Sequence, residues 1–400
     1  MVGDQLARVA LTVLVYDRTR SALLAAVTFV ASVVPAFLGG VGLAGLADRF
    51  PRRWVMIGAD VVRCALVLVM ALPGMPVALL VVLLATVTLV GAPFTAARAA
   101  IYPDLLAGEK YVTGTAITLM TNQFAQIVGF AVGGAVVALL GTRTSLVVDA
   151  ATFAVSAAIV GVWVRRTRRP WRARASEVPT LEAPAPEPHA PESPAASGDR
   201  DGGGFAAAAR AVFSNPALRL PMLFGWLAAF YNAPEGVAAP LAGSLGGGAG
   251  TVGIILAAQV LGEAAGMLVF GRFVRPAARM RWMGPLAVAA CAVLLLVAVA
   301  PGLGVVLIVL AASGAFGAYQ IAANAAFVSA VPAARRGRAF GLAQGGMSLG
   351  QGAVMILAGA AAQQLAPTVV VAIAGGAGAI CAAVIAADWA RLLKSAPPSG

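Results

Sequence analysis

Charge is scarce in this 400-residue chain: 11% of its residues are Asp, Glu, Lys or Arg, where soluble domains carry roughly 25%. There is one histidine, His189, inside a Pro-rich stretch, and the three cysteines, Cys64, Cys291 and Cys381, lie far apart in apolar runs. That inventory assembles no zinc site, no disulfide framework and no Cys/His nucleophile pair. No Gly-Lys dipeptide occurs, which removes the Walker phosphate loop. Most enzyme classes go with these absences. No catalytic residue, metal or cofactor is expected, and work done by the protein must draw on something other than ATP bound to this chain.

What is abundant is hydrocarbon. Sixty per cent of the residues are hydrophobic and mean hydropathy is +0.90, a surplus that needs lipid as its solvent. A spanning helix takes about 20 residues. Apolar runs fall at about 2–16, 21–46, 54–73, 76–101, 111–140, 143–164, 217–241, 248–272, 281–300, 303–331, 337–364 and 367–390. The pattern predicts an all-α integral membrane protein with twelve spans. The first run gives a helix of only ~22 Å against ~30 Å of hydrocarbon. It reads as a helix lacking its cytoplasmic end, as a misassigned start codon would leave it.

Net charge is +12, from 26 Arg and two Lys against 16 acidic residues. A basic balance can mark nucleic-acid binding, but these arginines sit between apolar runs, so no nucleic-acid partner is expected. Arg49, Arg52 and Arg53 follow the second run, Lys110 the fourth, six arginines in 165–174 the sixth, Arg272, Arg275, Arg279 and Arg281 the eighth, and Arg335, Arg336 and Arg338 the tenth. The odd connections hold Arg18, Arg20 and Arg143. Positive charge thus places the even connections and both termini in the cytoplasm. The Arg-over-Lys bias with abundant Ala, Gly and Pro is the composition of a GC-rich bacterial genome, hence a bacterial inner membrane. The long polar stretch 165–216 reads as a disordered linker. Its 165–174 arginines would rest on anionic lipid, and a short helix near 205–214 would lie on the membrane surface.

The linker leaves six runs on each side, and the two sides repeat. Gln126 to Gly134 resembles Gln351 to Gly359 at a spacing of 225 residues, and Ala97-Arg98-Ala99-Ala100 resembles Ala323-Asn324-Ala325-Ala326 at 226. Two six-helix halves about a membrane-normal pseudo-twofold axis describe one architecture of secondary transporter. The expected domains are a bundle over 1–164, the linker 165–216, a second bundle over 217–390 and a cytoplasmic tail over 391–400.

Leu46-Ala47-Asp48-Arg49-Phe50-Pro51-Arg52-Arg53 resembles the loop 2–3 signature of the major facilitator superfamily, with Ala44 and Pro51 at two of its glycine positions. Gly129-Phe130-Ala131-Val132-Gly133-Gly134 is similar to that superfamily's antiporter signature, with Phe130 in place of proline. Pro93 to Arg98, Pro103-Asp104-Leu105 and Asp149 to Phe153 resemble the multidrug, macrolide and enterobactin exporter branch. The resemblance implies alternating access, with Asp48, Arg49, Arg52 and Arg53 as a gating loop. It also implies that Asp48 meets the start of helix 11 near Gly337, and that helices 1 and 7 line the cavity.

Ionisable groups within spans are costly and therefore candidates for function. Asp60 and Arg63 stand three apart on one helix face, which reads as a structural ion pair. Asp149 falls on helix 6, peripheral by resemblance, and reads as structural. Asp4 and Arg8 are one turn apart and well inside the hydrocarbon, as a neutralised pair or as part of the cavity. Glu263 lies in a small-xxx-small frame, Gly262 to Gly266, that lets a neighbouring helix approach. Glu235 has no cation near it in sequence and follows Pro234; a carboxyl without a counter-charge suits loading and release of protons. The proton-coupling candidates are Glu235, Glu263, Asp4 and Arg8. Asn122, Gln126, Phe230, Tyr231, Asn232, Tyr319, Gln320 and Asn324 are candidates to line a cavity for drug-like cargo; interhelical packing is the alternative for each.

The expected function is export of amphipathic small molecules by proton-coupled antiport, in a monomer whose partners are cargo, protons and membrane lipids. A narrow siderophore or natural-product exporter is the alternative within transport. A non-transporting membrane scaffold or sensor is the alternative outside it.

Overall fold

The computed structural model describes residues 2–43, 50–105, 109–163, 205–300, 302–332 and 336–395, and every regular element among them is a helix. The first half contains α1 (Val2–Thr19), α2 (Ala22–Ala31), α3 (Val34–Gly42), α4 (Arg52–Met70), α5 (Val77–Leu105) and α6 (Glu109–Trp163). The short α7 (Phe205–Ser214) precedes the second half. There, α8 (Pro216–Trp226), α9 (Ala228–Tyr231), α10 (Ala233–Gly236) and α11 (Ala238–Ser244) follow one another as pieces of a single interrupted run. Then come α12 (Ala249–Phe273), α13 (Pro276–Ala292), α14 (Leu296–Val299), α15 (Leu303–Phe316), α16 (Tyr319–Ala330), α17 (Arg336–Ala361) and α18 (Pro367–Ser395).

Among the described residues, seven stretches are long and apolar enough to cross a membrane: Ala22–Gly40, Val77–Ala99, Met120–Trp163, Ala249–Phe273, Ala278–Val299, Leu303–Ala330 and Pro367–Lys394. Met120–Trp163 holds the fifth and sixth expected spans, which part at Gly141, where φ is 79°; a left-handed residue there needs glycine. The helices of the first, third, seventh and eleventh runs fall short of that standard of length and apolar composition. In α1 and α4 the reason is charge: Asp4, Arg8, Asp17 and Arg18, and Arg52, Arg53, Asp60 and Arg63. In the seventh run it is proline, since Pro234 and Pro240 lack the N–H that a continuous helix needs. The outside of the bundle is apolar, with Leu139 82% and Ile308 71% exposed, as lipid contact requires.

The first helix reaches Thr19, three residues past its expected end, and at 18 residues is about 27 Å long. Thr19 Oγ1 donates to the Val15 carbonyl at 2.7 Å, and the chain then turns at Arg20, where φ is 51°. Ser21 caps α2 by accepting from the Leu24 N–H at 3.2 Å.

The two halves meet through glycine. A Cβ on Gly134 of α6 would stand 2.8 Å from the Gly253 Cα of α12, and one on Gly253 would stand 2.4 Å from the Phe130 carbonyl. On the other side of the interface, a Cβ on Gly359 of α17 would stand 2.4 Å from the Ala26 Cβ and 3.0 Å from the Ala22 carbonyl of α2. Gly134 and Gly359 are the two positions paired by the internal repeat. Each half therefore uses the same glycine of its repeat to press a helix backbone onto the other half.

Candidate functional site

A cavity of about 680 Å³ opens inside the first half, lined by residues of α1, α3, α4, α5 and α6 and by Ser32. Its polar floor is built from three helices. Asp4 of α1 accepts a hydrogen bond from Arg63 Nη2 of α4, and Arg63 Nη1 lies 3.8 Å from Asp60 Oδ1. The Arg63 guanidinium also stacks on Phe153 of α6, 4.1 Å from the ring centroid. Asp149, one turn before Phe153, is fully buried, and Thr152 Oγ1 donates to its Oδ1 at 3.4 Å. Room for this assembly comes from glycine: a Cβ on Gly3 would stand 2.1 Å from Asp149 Oδ1, and one on Gly91 would stand 3.5 Å from Arg63 Cζ. Three expectations change here. Arg63 is shared between Asp60 and Asp4, Asp4 takes Arg63 as its hydrogen-bonded partner, and Asp149 sits in the cavity wall.

Arg8 also lines the cavity, with partners of its own. The α2–α3 break frees a carbonyl, because Ala36 N–H bonds the Val33 oxygen at 3.3 Å and leaves that of Ser32. Arg8 Nη2 donates to the Ser32 oxygen at 3.1 Å, and its guanidinium lies 5.2 Å from the Phe29 ring. Arg8 also acts electrostatically on Glu235 in the other half. The carboxyl that has no cation near it in sequence thus has one in space. Glu263 in turn lies within electrostatic range of Glu235 and Tyr231.

The same device recurs in the second half. At Pro234 the helix breaks, Glu235 N–H bonds the Asn232 oxygen at 3.1 Å, and the Tyr231 oxygen is released. Gln259 of α12 takes it: its Nε2 donates to the Tyr231 carbonyl at 3.1 Å and to Asn232 Oδ1 at 2.6 Å. Glu263, one turn on, sits where α12 crosses α15 with backbones in contact, as its small-residue frame implies. A Cβ on Gly262 would stand 1.9 Å from the Ala311 oxygen, and one on Gly314 would stand 2.3 Å from the Gln259 oxygen.

Of the proposed cavity residues, Asn122 and Gln126 line the cavity. Tyr231, Tyr319 and Gln320 instead tie α8, α9 and α16 together. Tyr319 Oη donates to the Phe224 carbonyl at 3.0 Å, and Gln320 Nε2 donates to the Gly225 carbonyl at 3.2 Å and approaches Tyr231 Oη at 3.4 Å. Asn232 is held by Gln259, Phe230 packs where a Cβ on Gly378 would lie 2.6 Å from its own, and Asn324 is exposed. These six do not line the cavity because tertiary hydrogen bonds, packing or outward orientation take them. Gln259, Gly253 and Gly314 escaped the sequence reading. A glutamine one turn from a glutamate in an apolar run was the available signal for the first.

In the antiporter-like motif, Gly129 is buried, Gly133 touches α1, where a Cβ would lie 3.1 Å from the Leu6 Cα, and Gly134 meets Gly253. Asp48 and Arg49 lie outside the described residues. Arg53 donates to the Gly161 carbonyl near the end of α6 and lies 5.9 Å from the Trp54 ring, and Arg52 begins α4.

The model of the Major Facilitator Superfamily matches residues 1–237 and 231–399. The chain belongs to the Major Facilitator Superfamily. It is accordingly a multi-pass membrane transporter and not an enzyme. Solved structures of the same fold include a bacterial homologue of the human lysosomal transporter Spinster, inward-facing and unoccupied, at 15% identity and TM-score 0.63, covering 100% of this chain and 96% of that one. The nucleoside transporter NupG aligns at 14% identity and TM-score 0.66, covering 97% and 96%. A POT family transporter in complex with 5-aminolevulinic acid aligns at 11% identity and TM-score 0.68, covering 98% and 94%. At such identities the likeness to these superfamily members is one of fold. Among curated proteins, none matches the chain in sequence.

Proposed function

We propose that this transporter is an exporter of amphipathic small molecules that exchanges its cargo for protons, with Glu235 as the coupling group. What supports the reading is that Glu235 lies within electrostatic range of Arg8 of the other half. A carboxylate within range of a guanidinium of the other half favours the arrangement that keeps them near, and adding a proton removes that attraction. Binding or losing a proton at Glu235 then biases one arrangement of the halves over the other, which is the requirement for coupling.

The arrangement supports an inward-facing reading. The glycine contacts at Gly134–Gly253 and Gly359–Ala26 close the ends near the arginine-poor connections. The cavity reaches Gly40 and Ala99, toward the arginine-rich ends. By the positive-inside rule those ends are cytoplasmic, and the termini with them. The export direction rests on the sequence similarity around Pro93–Arg98 and Asp149. A monomer in a bacterial inner membrane, with 165–216 as a passive linker whose arginines meet anionic lipid, completes the proposal; residues 165–204 lie outside the described residues.

The test is transport in proteoliposomes under an imposed pH gradient, with ethidium as the amphipathic probe. Wild-type protein accumulates ethidium against its gradient. Glu235→Gln, which keeps size and hydrogen bonding but removes titration, retains ethidium exchange and loses accumulation to the level of empty liposomes. Full gradient-driven accumulation by Glu235→Gln removes Glu235 from the coupling role.

A further inference from the structure

The outer wall of the second half carries a groove that the transport reading does not use. It runs between α13 and α18 and has a volume of about 540 Å³. Gly284 brings the two helices together, since a Cβ on it would stand 2.8 Å from the Ala386 Cβ. Small side chains keep the furrow beside that contact open: Ala383, Ala387 and Ala390 of α18 face Pro285 and Val288 of α13. Trp389 lines it too, fixed by donation from its Nε1 to the Met280 carbonyl at 3.1 Å and by edge-to-face contact with Phe224. Ile380 and Val384 of α18 and Trp282 of α13 are exposed, so this flank faces lipid.

The groove also has the depth of a phospholipid chain. Arg281 lines one end and is the fourth residue of the apolar stretch Ala278–Val299, while Leu393 lines the same end and is the last residue but one of Pro367–Lys394. From there the lining descends to Val288 on α13 and Ala383 on α18, about 10–15 Å along the helix axes. That is close to the hydrocarbon depth of one leaflet, half of ~30 Å.

Charge selects the headgroup. Arg279 is spent on the Val274 and Gly271 carbonyls at 2.8 and 2.6 Å, and Arg391 pairs with Asp388 at 3.0 Å. Arg281 is exposed and, among the described residues, has no hydrogen-bond or ion-pair partner. Lys394 adds an exposed cation next to Leu393. A guanidinium takes two phosphate oxygens in its planar fork, and basic pockets between spanning helices suit anionic headgroups. A zwitterionic lipid brings its own ammonium to this cationic end, and an anionic lipid does not.

We propose that this groove binds one anionic phospholipid, with its phosphate on Arg281 and an acyl chain along Ala383, Ala387 and Ala390. The lipid bridges α13 and α18. The proposal rests neither on proton coupling nor on the cargo, and its test is independent of ethidium transport.

The test is photolabelling of the full-length chain in phosphatidylcholine nanodiscs, with labelled peptides mapped by mass spectrometry. Two probes carry the same diazirine acyl chain, one under a phosphatidylglycerol head and one under a phosphatidylcholine head. The glycerol probe labels the groove roughly fivefold or more above the choline probe, whereas both label the exposed Ile308 of α15 equally. Arg281→Gln brings groove labelling by the glycerol probe down to that of the choline probe. Ala387→Phe, which fills the groove from an exposed position, lowers labelling by both. Unlabelled phosphatidylglycerol competes, and inorganic phosphate does not. Equal labelling of the wild-type groove by the two probes marks ordinary solvating lipid and overturns the proposal. So does undiminished labelling in both variants, or displacement by phosphate, which marks a site for a free anion. Should either variant fail to fold, the two probes on the wild type, with the competition arms, decide alone.

Discussion

Valine at position 262 removes folded protein from the membrane, whereas valine at position 253 leaves it folded and moves it out of the arrangement described here. Both glycines face backbone at a distance no side chain tolerates. The Gly262 contact, 1.9 Å from a would-be Cβ to the Ala311 oxygen, lies within the second half, where α12 and α15 stay together. Overpacking costs about 1–3 kcal/mol where side chains can shift; here the obstacle is a carbonyl, so the helices must part and the effect falls at the top of that range or above it. The Gly253 contact, 2.4 Å to the Phe130 oxygen, lies between the halves. A transporter that works by alternating access separates that contact in every cycle, so a bulky residue there penalises one state only. A penalty of about 1.4 kcal/mol is a tenfold shift in population. Monodispersity and melting temperature in detergent report the first effect. For the second, a single cysteine at Ala99, in a background without native cysteines, reports access to the cavity: labelling by a membrane-impermeant maleimide from the cytoplasmic side falls in Gly253→Val. Loss of folded protein in Gly253→Val as complete as in Gly262→Val would show that the contact between the halves never opens.

Arg63→Leu destabilises the first half by about 3–5 kcal/mol, the cost of leaving buried carboxylates without their cation. Arg63 holds Asp4 and approaches Asp60 at 3.8 Å while stacking on Phe153. Lysine does not replace it, because a point charge cannot pair with two carboxylates and lie flat on a ring. Adding Asp60→Asn to Arg63→Leu recovers part of the loss, since it removes one orphaned charge. The check is the melting temperature of the three variants beside wild type. A melting temperature for Arg63→Leu within a degree or two of wild type contradicts the role assigned to this side chain.

The helical class and the membrane were legible from composition, because little but lipid dissolves a chain this apolar. The repeat was legible too, and Gly134 and Gly359 give it a physical meaning as the two places where the halves press together. The breaks at Pro234 and Gly141 emerged only in the structure, from a missing donor and a left-handed residue. The Asp60–Arg63 pair was legible from its spacing, but the partners that reach across the bundle were not. Asp4 reads as the neighbour of Arg8 along one helix, yet Arg63, 59 positions away, takes it, because a local spacing says nothing of what packs across a bundle. Asp149 reads as peripheral until Gly3 lets α1 close on it. Tyr319 and Gln320 read as cavity residues because a polar side chain in an apolar run looks the same whether it faces a cavity or satisfies the carbonyl of a broken helix. The uniform apolar runs carry the same ambiguity, since lipid-facing and core-facing positions draw on one set of residues.

The central claim, that movement of cargo is tied to movement of protons through this chain, is tested most directly by following the protons. Proteoliposomes containing wild-type protein and internal pyranine are given a pH gradient, and ethidium is then added. The account predicts that ethidium collapses the gradient at a rate set by its own transport, and that Glu235→Gln moves ethidium without changing internal pH. Transport of ethidium by the wild type with the pH gradient undisturbed would contradict it.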